Sequence, residues 1–488
     1  MDLNKSRLII AALRGGSGKT VVSLGLAAAW KQYLGLRIVP FKKGPDYIDA
    51  GWLSVAAGGP CYNLDPFLMQ PEDILRSFVR HSGRGDLSLI EGNRGLYDGV
   101  DANGSYSTAE LSKLLRCPVV LVLDATKVTR TAAALVLGCQ HLDPEVNIAG
   151  VVLNRVAGKR HEKVLRESIE TFCGIPVLGV IPKEERIFFA ERHLGLVPPQ
   201  EAGNIAAAVG LAASRMKEYL DLEALRKISG TAGPLGWPLP FAQVPCERRR
   251  PVRIGVVRDS AFQFYYPENL EALEDRGATL VEISSFADAP LPVVDALYIG
   301  GGFPETHLET LAGNLRFRDS VKAAVEDGMP VYAECGGLMF LCRGIHHQAG
   351  FYPMAGVFPF GIALGPKPQG HGYTIMECVG PNPFFKQGTV MRGHEFHYSG
   401  ITEEVNADSY PFVFKLKKGH GIVAGRDGIC YKNTLAGYSH IHAVGNEHWA
   451  DALVAAAGAY QKDRFGISVD SDRDPERGWS ESHDYLRV

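Results

Sequence analysis

Residues 7–34 read RLIIAALRGGSGKTVVSLGLAAAWKQYL. An apolar run of strand length enters a glycine-rich turn, and a long stretch of helical period follows it. That order is what a phosphate-binding loop requires, because glycines let backbone N–H groups converge on phosphate oxygens and the helix N-terminus adds partial positive charge. Gly15, Gly16, Ser17 and Gly18 form the cradle, Lys19 reaches the terminal phosphates, and the Thr20 hydroxyl is placed to ligate Mg²⁺. ATP and Mg²⁺ are the ligands this loop leads one to expect.

Beyond the loop, LSLIEG (87–92), VVLVLD (119–124), AGVVLN (149–154) and VLGVIP (177–182) read as strands, with helices such as TAAALVLGCQHL (131–142) between them. The alternation predicts an α/β fold, a doubly wound parallel sheet over residues 1–224. Glu91 closes one strand where a magnesium-binding carboxylate belongs, Asp124 closes the next, and Asn154 closes a third beside the nucleotide. Either acid could instead simply cap a turn. The standard loop has glycine where Leu13 stands; the sequence resembles the deviant KGGxGKT form of septum-site and partition ATPases, with Arg14 for the first lysine. PFKKGPDYIDAGW (40–52) adds Lys42, Lys43, Asp46 and Asp49 after a short strand, and GLYDG (95–99) adds Asp98. Mixed Lys and Asp beside a phosphate site can hold carboxylates, metal and a transferring phosphoryl group together, though a solvated loop is the plain alternative.

At 488 residues, with 46% hydrophobic residues, 22% charged residues and a formal charge of −3, the chain suits two domains and shows no basic face for nucleic acid or an anionic membrane. Its nine cysteines are scattered without a CxxC pair, which suits a reducing, cytoplasmic setting. The N-terminal apolar run is shorter than a signal-peptide core, and no stretch approaches a membrane span.

Residues 225–251, rich in Pro and Gly, read as a linker. A second alternating series then occupies 252–462, with VRIGVVRD, TLVEISS, ALYIGGG and PVYAECGG as strands, and a polar tail over 463–488 is expected to be poorly ordered. Cys335 lies at a strand-to-helix turn flanked by glycines, where the helix N-terminus is expected to lower its pKa. GYSHIH (437–442) supplies His440 as general base, and His442, on the same strand face, as a candidate to orient it. The glycines of YIGGGFPE (298–305), Gly301 and Gly302, join Gly336 as candidate oxyanion donors. RGHEFHYS (392–399) gathers His394, Glu395 and His397, with no third ligand for a metal fixed by sequence.

Cys335, the GGG loop and His440 resemble the class I glutamine amidotransferases in their cobyrinate-amidating branch, where a thiol glutaminase follows a P-loop domain related to dethiobiotin synthetase. FKKGPDYID, NLD (63–65), EGNRGLYDG, FQFYYPENL (262–270), YIGGGFPE, YAECGGLM and RGHEFHYS narrow the resemblance to the cobyrinate a,c-diamide synthase family over residues 7 to about 450. The resemblance implies L-glutamine, ATP and a corrinoid carboxylate as substrates. Cys335 and His440 would release ammonia; Lys19 and Thr20 would bind ATP and magnesium; Thr20, Asp46 and Glu91 would hold the metal; and Lys42, Asp46, Asp49 and Asp98 would handle substrate and phosphoryl group. The broader class has Glu two residues after its histidine, whereas His442 stands here, which implies a Cys–His dyad. Hydrogenobyrinate, nickel-sirohydrochlorin and sirohaem remain alternative substrates, a partition-type ATPase switch with a degenerate second domain is the non-catalytic alternative, and a homodimer is possible.

Overall fold

The structure, a computed structural model, describes residues 4–183, 191–192, 195–196, 198–201, 203–236, 251–348, 350–402 and 411–465. In the first half, β1 (Arg7–Ala12), β2 (Ile38–Lys43), β3 (Tyr62–Leu64), β4 (Leu87–Glu91), β5 (Val119–Asp124), β6 (Ile148–Val156) and β7 (Val177–Pro182) form a 7-stranded parallel sheet in the order β3-β2-β4-β1-β5-β6-β7. β1 is buried along its whole length, as an apolar central parallel strand should be. The chain leaves β1 for helices on both faces, so the loop after it lies at the point where strand order reverses, where open α/β sheets bind ligands. The helix Lys19–Leu34 that follows packs closely on Ile205–Tyr219: a Cβ on Gly25 would lie 2.4 Å from Cγ of Met216.

The first domain extends further than the sequence suggests. Residues assigned to the linker open with a helix, Leu222–Ser229, and Leu225 and Leu235 are both buried in the first domain. The buried guanidinium of Arg7 donates to the carbonyls of Leu115, at 2.7 Å, and Gly233, tying this segment down. Burial rather than composition decides the boundary here; the Pro-rich remainder from 237 to 250 lies outside the described residues, as does the tail beyond the last helix, His448–Phe465.

A short ladder joins β8 (Glu191–Arg192) to β9 (Gly195–Leu196). The second half contributes β10 (Val252–Val257), β11 (Ala278–Ile283), β12 (Ala296–Ile299), β13 (Val331–Glu334), β14 (Cys342–His347), β15 (Gly350–Pro353), β16 (Phe358–Leu364), β17 (Gly370–Cys378), β18 (Val390–His397), β19 (Ser399–Ile401), β20 (Phe412–Lys418), β21 (Arg426–Tyr431), β22 (Thr434–Gly437) and β23 (His440–Ile441). A 10-stranded sheet runs β11-β10-β12-β13-β22-β21-β20-β17-β18-β23. It is parallel from β11 to β22, as the sequence pattern predicts, and antiparallel beyond. The antiparallel arm returns β23 to the mouth of the parallel part and presses β17 on the first domain, whose core Tyr373 and Ile375 join.

The domain junction is polar as well as apolar. Glu271 accepts hydrogen bonds from Tyr62 (3.0 Å), the His81 ring (2.9 Å) and Arg84 (2.7 Å), while Arg80 grips Asp275 at 2.6 Å. Partial burial opposes the Glu271 charge, yet the bonds from His81 and Arg84 pull its carboxyl down to about 2. A depressed carboxylate contributes stability above its unfolded-state pKa, and loses it as pH falls toward 2. Glu271→Ala should therefore bring urea unfolding forward by about 2 kcal/mol at neutral pH and by progressively less below pH 4; identical curves at pH 7 would show that the junction does not depend on it.

Candidate active site

Four of the anticipated residues form one buried network in the first domain. The Lys42 ammonium sits 2.7 Å from Oδ2 of Asp49 and 2.8 Å from Oε1 of Glu91. Thr20, in the first turn after the glycine loop, donates its hydroxyl to the same Glu91 oxygen at 2.7 Å. The other Glu91 oxygen, Oε2, is buried without a hydrogen-bond partner. An orphaned carboxylate oxygen beside a threonine hydroxyl is a donor set suited to a small hard cation, so the residues fit Mg²⁺. Asp46 stands one helical turn away, accepting the Asp49 N–H at 2.9 Å, and burial with the Asp49 charge pushes it up to about 7.

The glycine loop itself is preformed. Gly16 and Gly18 have φ of 72° and 95°, a conformation that favours glycine, and a Cβ on Gly18 would lie 2.3 Å from the Asn154 amide. Asn154 donates to the Ser17 carbonyl at 2.9 Å, so it braces the loop. The Ser17 hydroxyl turns back to the Arg14 carbonyl, and Gly15 lies exposed on the outer side. Lys19 donates to the Arg94 carbonyl at 2.7 Å; burial lowers its pKa, and Asp98 is among the acids that oppose this. Asp124 is the turn cap among the alternatives: it takes the Thr126 N–H and hydroxyl and pairs with Arg155 (2.7 Å) and Arg14 (3.3 Å).

In the second domain Cys335 occupies a sharp turn with φ 48° after β13 and before the helix Gly336–Leu341. The glycines expected as oxyanion donors pack together. A Cβ on Gly336 would lie 3.0 Å from the Gly302 nitrogen, and one on Gly301 would lie 2.5 Å from Cε1 and 3.3 Å from Nε2 of His440. Cys335 is buried, and that burial, with Glu305 next, pushes its thiol pKa up against the pull of the Gly336 N–H. The expectation of a helix-lowered pKa is thus corrected: a six-residue helix does not outweigh desolvation and carboxylates, and the resting group is a thiol that needs a base.

The expected orienting residue is also replaced. His442 is fully buried, faces Glu268 at 3.7 Å and packs on Tyr266, on the domain junction. The group beside His440 Nδ1 is Oε2 of Glu334, at 3.5 Å. Glu334 is itself held by the Tyr298 and Tyr332 hydroxyls, each at 3.2 Å, and by the Ile441 N–H at 3.0 Å. The expected dyad therefore has a carboxylate beside it, drawn from the residue preceding the nucleophile. Its only sequence signal was the E of AECGG. In RGHEFHYS, His394 stacks on His440 with centroids 4.9 Å apart, while Glu395 caps the Gly421 N–H at 2.8 Å and His397 stacks on Tyr438. Among the described residues no three His, Cys, Asp or Glu side chains converge as a metal cluster.

One residue joins the two halves. Tyr47, between Asp46 and Asp49, stacks on Phe264 with centroids 5.1 Å apart and lies 5.4 Å from the His440 ring. A continuous cavity of about 1280 Å³ is lined by Lys19, Thr20, Asp46 and Asp49 at one end and by Cys335, Gly302 and His440 at the other.

Residues 8–196 match the CobQ/CobB/MinD/ParA nucleotide binding domain, and residues 253–448 match the CobB/CobQ-like glutamine amidotransferase domain. A cobyrinate a,c-diamide synthase of Magnetococcus marinus is 44% identical over 451 residues, covering 92% of this chain and 96% of that protein. The chain belongs to the cobyrinate a,c-diamide synthase family. Other members of that family from Methanothermobacter thermautotrophicus (42% identical, 90% and 96% covered) and Archaeoglobus fulgidus (38%, 94% and 98%) are similar along nearly their whole lengths. As a family member this chain is a ligase with a glutamine amidotransferase domain and a nucleotide-binding domain, and the partition-type switch falls away. No helix among the described residues is long and apolar enough to cross a membrane.

Glu334→Gln keeps an acceptor for the Ile441 N–H and removes the charge beside His440. It should lower glutamine hydrolysis by roughly two orders of magnitude, measured as glutamate release; an unchanged rate would make the contact incidental.

Proposed function

We propose that this chain amidates the a and c side-chain carboxylates of cobyrinate, using ATP and glutamine, in cobalamin biosynthesis. The observation that carries the reading is the continuous cavity, which joins a nucleotide loop with its acidic network to a thiol–histidine pair. A ligand pocket reaching both ends suits a reaction whose ammonia is made at one and used at the other.

The steps follow from the residues. His440 takes the Cys335 proton at Nε2 while Nδ1–H faces Glu334, and the sulfur attacks the glutamine amide carbon. Backbone N–H groups of Gly302 and Gly336 meet the oxygen that becomes negative, and His440 returns the proton to the departing ammonia. Water, deprotonated by His440, then hydrolyses the thioester to glutamate. At the other end the substrate carboxylate attacks the γ-phosphorus of ATP and ADP leaves; ammonia attacks the resulting acyl phosphate and phosphate leaves. Lys19 and the loop N–H groups hold the phosphates, and Lys42 keeps Asp49 and Glu91 in register. Thr20, Asp46 and Glu91 would hold Mg²⁺, which supplies charge neutralisation to the phosphates when bound. Tyr47, which follows Asp46 in sequence and packs its ring against that of His440, lines the cavity through which ammonia would pass from one end to the other.

Cobyrinate is favoured over hydrogenobyrinate and the sirohydrochlorins because relatives of that name match over nearly the whole chain. Incubation with each tetrapyrrole, ATP and glutamine, read by the mass loss of about one dalton per amide, tests this; turnover of another tetrapyrrole alone would overturn it. Cys335→Ser should abolish glutamine-dependent amidation and retain amidation with ammonium salts. Lys19→Ala should lose both by at least about a hundredfold; undiminished amidation in that variant would remove the ATP assignment.

A further inference from the structure

The cavity holds a second cluster that the chemistry above does not use. Lys43, at the end of β2, is only 5% exposed, yet among the described residues its ammonium has no acid within ion-pair distance. The nearby carboxylate is Asp65, whose oxygens are taken by the N–H groups of Phe67 (2.7 Å) and Leu68 and by the Tyr373 hydroxyl (2.7 Å). Burial lowers the Lys43 pKa, and Arg94 acts the same way, so a second cation stands close by. Arg94 follows β4 with φ 49°, and its carbonyl is pinned by Lys19. Lys418, from the last residue of β20 in the other domain, lies 5.3 Å over the Phe67 ring.

Phe67 gathers Lys418 and two tyrosines. Tyr373 stacks on it at 4.2 Å and Tyr106 meets it edge-on at 5.6 Å. Lys43, Arg94, Lys418, Tyr106 and Tyr373 all line the cavity, alongside the acidic network of Asp46 and Asp49. The Lys43 ammonium is desolvated with no ion-pair partner among the described residues and with the Arg94 charge acting against it, a cost that the fold itself recovers only in part through Asp65. Anions from a ligand would recover it. Two tyrosine rings beside them offer apolar surface to a flat macrocycle, while keeping the acid end for the one carboxylate that receives a phosphoryl group.

We infer that Lys43, Arg94 and Lys418 bind carboxylates of the tetrapyrrole that are not being amidated, so that the glutaminase domain supplies part of the synthetase's substrate site. This rests on the function proposed above and deepens it. The substrate is gripped as a polyanion from both domains, and its reactive acetate is selected by where the other acid groups are anchored.

Equilibrium binding of cobyrinate, followed by its absorbance, tests this in the full chain. Lys418→Gln and Arg94→Gln should each raise Kd about tenfold, with a shallower dependence on ionic strength than the native protein, and Lys418→Arg should stay near the native value. Native-like affinity and salt dependence in both glutamine variants would overturn the cation cluster alone. Failure of the native protein to bind cobyrinate at any salt concentration would overturn the functional reading and this inference with it. Lys418 and Arg94 are exposed side chains, so their variants should melt with the native protein; equal loss of affinity in Lys418→Arg would assign the effect to shape and overturn the charge argument.

Discussion

The ammonium of Lys42, buried between Glu91 and Asp49 at 2.8 and 2.7 Å, is the contact on which the first domain's chemistry rests. Two carboxylates brought this close would repel; one cation between them offsets that repulsion and fixes three chain segments against one another. β2 brings the lysine, β4 brings Glu91, and the helix after Gly44-Pro45 brings Asp49. Thr20 then bonds the same Glu91 oxygen, so the start of the loop helix is registered to the sheet by the same contact.

That registration reaches the second domain through Tyr47. Its neighbours in sequence belong to the acidic network, while its ring is packed among Phe264, Tyr266, His394 and His440. A shift at the acidic network therefore cannot occur without repacking the rings around His440. The Glu271 and Asp275 ion pairs and the β17 contact clamp the domains on the far side of this ring cluster.

How much of this was legible in the sequence depended on range. The glycine loop, Lys19, Thr20 and the turn at Cys335 are local signals, where backbone demands show within a few residues. The parallel strands were equally readable because burial on both faces gives unbroken apolar runs. The antiparallel arm β17 to β21 was not, since one face is solvated and its pairings are long-range. Glu334 escaped because only the return of β23, about a hundred residues on, shows that it meets His440. The direction of the Cys335 pKa is hidden for the same reason: helix position is visible in sequence, desolvation is not. The helix Leu222–Ser229 hid behind the Gly and Pro that follow it, and the Lys43, Arg94 and Lys418 cluster needs two domains to exist.

Glu334 and Cys335 are consecutive, so the acid points to one side of the sheet edge and the thiol leaves by the turn on the other. The two residues share a single peptide unit and cannot be moved apart by separate loop insertions. Slippage of β13 by one position would turn both side chains to the wrong side at once. Insertions in the outer hairpins would thus leave both residues in place, whereas the pairing of β13 with β12 and β22 tolerates no change of register.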